Sequence, residues 1–177
     1  MTSFRPDLFA LAFSLALLPH GLEAQFGSGP GRAAPAGWAP AAVGVRVGFD
    51  NAQSEPTVGA LVRIPVLPNG SVELVPNVDV TFLPGFKAYQ FNFEAVYLTE
   101  GRAGGFYLGG GPGFRNSVFG PDPSAPRRNE RTFSLVVGVR LGGLDRFRPE
   151  LETRWILQDE QARDPRLVAV GVSMALW

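Results

Sequence analysis

Cysteine is absent from all 177 residues, and histidine occurs once, at His20. The first absence excludes disulfides, thiolate metal sites and cysteine nucleophiles. The second matters more, because His20 lies in a stretch that reads as an export signal. Residues 25–177 then carry no imidazole, which removes Ser-His-Asp chemistry and most transition-metal sites. No cofactor is expected. Neither sign of charge is in excess: 16 basic residues stand against 16 acidic ones, and no basic stripe points to nucleic acid. Long apolar runs are missing too. Leu8 to Leu18 reaches only about eleven residues, against the roughly 20 of a spanning helix, and charges, Gly or Pro interrupt every later run.

What is present at the N-terminus is an export pattern. Arg5 supplies the positive region and Leu8 to Leu18 the apolar one. Pro19 and Gly21 break the helix, and Leu22-Glu23-Ala24 forms a small-residue cleavage site. Residues 1–24 are therefore expected to be a cleaved signal peptide. Residues 25–41 are rich in Gly, Pro and Ala and read as a flexible N-terminal segment. Residues 42–177 remain as one domain.

That domain alternates with period 2. Val43, Val45, Val47 and Phe49 face one way and Gly44, Arg46 and Gly48 the other. Similar segments follow at about 57–66, 71–83, 89–98, 105–114, 131–141, 147–157 and 166–177. In each pair of faces one is aromatic and branched-aliphatic, while the other holds charges of both signs. Arg46, Arg63, Arg140, Arg148 and Arg154 stand against Glu73, Asp79, Glu94, Glu150 and Glu152. If that face is interior, these charges must pair. Glu150, Glu152 and Arg154 read as part of such a network rather than as an acid/base pair. Connections are mostly short after even strands and longer after odd ones. Asn69-Gly70 is a strong hairpin signal. Pro84 to Ala88, a short connection after the third strand, breaks the alternation. The reading is all-β, an eight-stranded antiparallel up-and-down transmembrane β-barrel. A soluble lipocalin-like barrel binding an apolar ligand is the rival, with the two faces reversed.

Three local features carry a resemblance. They are Tyr107-Leu108-Gly109-Gly110-Gly111-Pro112-Gly113, then Gly138-Val139-Arg140-Leu141 followed by Phe147-Arg148-Pro149-Glu150-Leu151-Glu152, and last the terminal Trp177. Together they resemble the small eight-stranded outer-membrane barrels of the outer-membrane-protein-A and opacity-protein type, over roughly 42–177. The resemblance implies an integral outer-membrane protein, surrounded by membrane lipid and lipopolysaccharide. It also implies that Trp177 serves as the signal for the barrel-assembly machinery. Val168, Val170, Val172, Met174 and Leu176 are out of phase with Trp177, so a bulge near the end is expected to restore phase. Pro65, Pro76 and Pro149 are expected at bulges or strand ends.

Two further candidates concern binding. The stretch Arg115 to Glu130 reads as a long outer loop, with Phe119, Arg127 and Arg128 as the residues that would contact a ligand or lipopolysaccharide phosphate. Phe86, Tyr89, Tyr97, Phe106, Phe147, Trp155 and Trp177 fall near strand ends, where interfacial aromatics sit. The expected role is non-enzymatic, structural or loop-mediated binding and adhesion, without an open diffusion pore.

Overall fold

The computed structural model describes residues 39–51, 54–83, 86–100, 105–119, 126–142, 146–158 and 166–176. The signal-peptide expectation, most of the 25–41 segment and Trp177 lie outside them. Eight strands follow in order: β1 (Ala42–Asp50), β2 (Glu55–Pro65), β3 (Val72–Leu83), β4 (Phe86–Leu98), β5 (Gly105–Phe119), β6 (Arg127–Arg140), β7 (Phe147–Gln158) and β8 (Arg166–Ala175). Each pairs antiparallel with its neighbours in sequence, and β8 closes onto β1, from Ala42↔Ala175 to Asp50↔Leu167. Closure leaves no sheet edge to satisfy, which is what allows strands to cross lipid.

The strands are strongly staggered. A path perpendicular to them starts near the beginning of β1, at Gly44. It passes Leu61, Asn77, Asn92, Gly113 and Thr132, and arrives at Gln158, the last residue of β7. Stagger of this kind tilts the strands against the barrel axis. The β2–β3 connection is a tight turn, with Gly70 N donating to Leu67 O at 2.9 Å and Gly70 at φ 70°. Asn69 Oδ1 accepts from Ser71 N, so the Asn-Gly pair supplies both the left-handed residue and its anchor.

Four expectations are corrected. First, β4 starts at Phe86, so only residues 84–85 separate it from β3, where the sequence predicts a connection from Pro84 to Ala88. Phe86, Lys87 and Ala88 are strand residues because they bond β3 on one side and β5 on the other. Second, the stretch Arg115 to Glu130 is mostly hairpin. β5 continues to Phe119 and β6 begins at Arg127, with Arg115↔Glu130, Asn116↔Asn129, Ser117↔Arg128 and Val118↔Arg127 paired. Backbone pairing decides here, since the sequence lacks alternation. Third, Pro76 is neither at a bulge nor at a strand end. It pairs Phe93 on β4, and on the β2 side the register resumes unchanged at Leu61↔Asn77 after Ile64↔Leu74. The missing N–H removes a local bond without shifting the ladder. Pro149 likewise pairs Val172 in unbroken register, while Pro65 does end β2. Fourth, the bulge expected near the end of β8 is absent through Leu176: Ala175 pairs Ala42 in register, and Leu176 is outward and exposed.

Candidate functional site: the ion-paired interior

Alternation sends two sets of side chains in opposite directions. Outward go Val45 (60% exposed), Val47, Val58, Phe91, Phe93, Leu108, Phe133, Leu135, Val137 and Val170 (58%). Inward go the charges: Arg46, Arg63, Glu73, Asp79, Glu94, Arg140, Glu150, Glu152 and Arg154 are all buried. Water-facing proteins do the reverse. The interior is stable only because its charges hold one another.

They do so in two groups. Midway along the barrel, Arg46 Nε donates to Asp79 Oδ1 at 2.8 Å, and its Nη2 donates to Asp79 Oδ2 at 2.6 Å. Its Nη1 reaches Glu152 Oε1 at 2.9 Å, and Nη2 also reaches Asn77 Oδ1 at 2.8 Å. Arg154 forks onto Glu94, Nε to Oε1 at 2.7 Å and Nη2 to Oε2 at 3.0 Å, and contacts Asp79 and Glu152 at 3.3 and 3.2 Å. Nearer the end that carries Ala42 and Ala175, Arg63 and Arg140 share Glu73: Arg63 Nη1 at 3.0 Å, Arg140 Nη1 and Nη2 at 2.9 and 2.7 Å. Arg63 also forks onto Glu150, whose Oε1 takes a further bond from Ser173 Oγ at 2.6 Å. Arg140 Nε stands 3.5 Å from Glu150 Oε1, without a hydrogen bond. Two-pronged guanidinium–carboxylate contacts are among the stronger polar interactions, and they fix geometry as well.

Tyr107 ties the groups together. Its hydroxyl donates to Glu152 Oε2 at 2.9 Å, and its ring lies 5.2 Å beneath the Arg63 guanidinium. Glycine makes the room. A Cβ at Gly138 runs into the Tyr107 phenol and lies 2.7 Å from Leu151 O, and one at Gly59 runs into Asp79. A Gly138→Val change is therefore expected to destabilise by about 1–3 kcal/mol through overpacking. Urea titration of the folded gel band reads this loss, and adding Tyr107→Ala is expected to recover part of it.

Of the ten residues expected to pair inside, nine are fully enclosed in these groups. Arg148, two residues before Glu150, is only half-buried. Sequence reasoning missed an inward pair at the opposite end, where Arg115 Nη2 lies 4.0 Å from Asp50 Oδ2. It also missed the uncharged layer beside that pair. There Thr57 bonds Thr81 at 2.9 Å, and Gln90 Nε2 reaches Asn92 Oδ1 and Thr132 Oγ1 at 2.7 and 2.8 Å. The available signal was parity: each lies on the face opposite the large apolar residues of its strand.

The two residues offered as loop contacts that have described side chains, Arg127 and Arg128, are exposed at the start of β6. Arg128 Nε bonds Glu130 Oε1 at 2.5 Å. Phe119 ends β5, and its side chain lies outside the described residues. Among the described residues no group of His or carboxylates is placed to hold a metal ion. The void among Asp50, Thr57, Thr81, Gln90 and Arg115 measures about 10 Å³, room for about one water.

A closed barrel with an apolar exterior and a salt-bridged interior is a transmembrane β-barrel. No family model matches the chain, and no curated protein matches it. Its fold is that of small outer-membrane barrels of known structure. The N-terminal β-barrel domain of Pseudomonas aeruginosa OprF is 14% identical with a TM-score of 0.64, over 78% of this chain and 98% of that one. Neisserial surface protein A, NspA, is 14% identical with a TM-score of 0.54, over 77% and 94%. The outer membrane enzyme PagL is 12% identical with a TM-score of 0.51, over 76% and 99%. At these identities the likeness concerns the fold.

Proposed function

We propose that this chain is a non-enzymatic integral outer-membrane protein, exported by a signal in residues 1–24. Its role is structural, or is performed by the loop end as binding or adhesion, and it is not an open diffusion pore. The observation that carries the reading is the filled interior: two arginine–carboxylate groups and the threonine–glutamine layer occupy the axis from one end to the other. Eight-stranded barrels have interiors just wide enough for side chains. PagL is an outer membrane enzyme of similar fold. Here residues 25–177 offer neither histidine nor cysteine, and the buried carboxylates of the two groups are engaged by arginines. Lipid on the apolar face, lipopolysaccharide at the loop end and the assembly machinery at Trp177 are the partners this reading includes.

The alternative, a soluble carrier of an apolar ligand, requires an apolar lumen, and charges line this one. Envelope fractionation of the native host, with gels of boiled and unboiled samples, tests the proposal. Outer-membrane enrichment with a heat-dependent mobility shift is the expected result, and recovery in the soluble periplasm would overturn it. In planar bilayers the purified barrel is expected to give no sustained conductance. A stable open channel would overturn the non-pore part alone.

A further inference from the structure

The strands leave few charges on the outward face, and they are all of one sign. They are Lys87, the second residue of β4; Arg127 and Arg131 in the first five residues of β6; and Arg166, the first residue of β8. Register fixes their direction. Arg131 stands opposite Phe114 and two residues before outward Phe133, and Arg166 is paired with Trp155. Lys87 is paired with Phe82, its Nζ 6.0 Å from the ring. Every acidic residue of the strands, from Asp50 on β1 to Glu152 on β7, takes an inward position. The four cations are all exposed, and none is ion-paired with another described residue.

All four also lie at the same end, where the β3–β4, β5–β6 and β7–β8 connections are. Lys87 and Arg127 flank Val118 in one row across three neighbouring strands. That places their backbones about 10 Å apart. Arg131 lies below them, next to the apolar wall of Phe114 and Phe133. At the other end the outward residues Val72, Tyr97, Phe106, Phe147 and Met174 carry no charge.

Cations that project sideways, directly above an apolar wall, are reached by a molecule lying alongside the barrel. Such a molecule has its apolar part on the wall and its anionic part at the collar. We infer that Lys87, Arg127, Arg131 and Arg166 form a collar that takes the phosphates of anionic lipid in the leaflet at the loop end. The inference rests on the membrane-spanning reading and assigns its anionic-lipid contact to four outward residues. Long basic side chains reach the headgroup layer from positions near the apolar boundary, and arginine forks onto phosphate oxygens.

The test uses the full barrel in phosphatidylcholine nanodiscs carrying trace spin-labelled phosphatidylglycerol or spin-labelled phosphatidylcholine. Each cation near a lipid surface contributes enough to favour the anionic lipid several-fold, so the native barrel is expected to select phosphatidylglycerol by roughly tenfold. The preference should fall in high salt. The K87Q/R127Q/R131Q/R166Q variant is expected to lose it, while R146Q, at the opposite end, retains it. Phosphate buffer is expected to act no differently from chloride at equal ionic strength. Equal selection of both lipids by the native barrel, or full preference in the fourfold variant, would overturn the collar. Displacement by inorganic phosphate beyond its ionic strength would overturn the lipid assignment. Gel mobility of unboiled samples separates these outcomes from failure of the membrane reading, in which the native barrel would neither insert nor shift. If the fourfold variant does not fold, K87Q/R127Q is expected to lose about half of the preference in energy, and an unchanged preference there would count against the collar.

Discussion

Replacing Arg154 by methionine is expected to destabilise the barrel by about 3–5 kcal/mol, enough to remove much of the folded population at moderate denaturant. Arg154 is 1% exposed and touches three carboxylates, Glu94, Asp79 and Glu152. Methionine fills similar space but leaves Glu94 without its guanidinium fork. Asp79 and Glu152 keep Arg46. The loss arises from uncompensated buried charge rather than from a missing attraction, and this yields a second expectation. Arg154→Met combined with Glu94→Gln should recover most of the stability, because the uncompensated carboxylate disappears with the arginine. Guanidinium titration in detergent micelles, followed by the mobility of unboiled samples, measures both. A double variant no more stable than the single one would show that the arginine acts through packing instead.

Leu135→Arg carries the other large effect. Leu135 is outward on β6, 44% exposed, and faces Gly110 on β5 and Trp155 on β7. With lipid outside, a guanidinium near the middle of the band costs about 2–4 kcal/mol. With water outside, the same exposed substitution would change stability by no more than about 0.5 kcal/mol. Refolding into vesicles of the native and variant barrels, each titrated with guanidinium, distinguishes the two.

The eight strands were legible because charge and hydrophobicity alternate with strict parity where one face is apolar toward lipid and the other is polar and paired within. Arg46 among Val45 and Val47, and Glu150, Glu152 and Arg154 among Leu151 and Trp155, announce an inside and an outside. The ion-paired groups follow from that parity plus the need to neutralise buried charge. Which arginine takes which carboxylate does not, since Arg46 and Glu152 lie 106 residues apart and meet only through closure. The β5–β6 extension was hidden because Arg115 to Phe119 and Arg127 to Glu130 have no apolar alternation. Their pairing comes from Lys87 and Ala88 on β4 and from each other. Arg115 reads as a loop residue for the same reason, although it meets Asp50 inside. Pro76 argued for a break, because sequence shows the lost N–H but not the unbroken registers on both sides. The fit of Tyr107 against Gly138 depends on register across β5 and β6, which composition does not reveal.

The barrel is inverted, with its apolar face in lipid and its charges within. A chain without cysteine allows single-cysteine spin labels without background. Labels placed in turn at Phe133, Leu135 and Val137 and at the intervening Ser134 and Val136, in vesicles, report collision with oxygen and with a water-soluble nickel complex. High oxygen and low nickel collision are expected at the first three, with both low at the two between them. Ready access of the nickel complex to residues 133, 135 and 137 would mean that water, not lipid, covers that face.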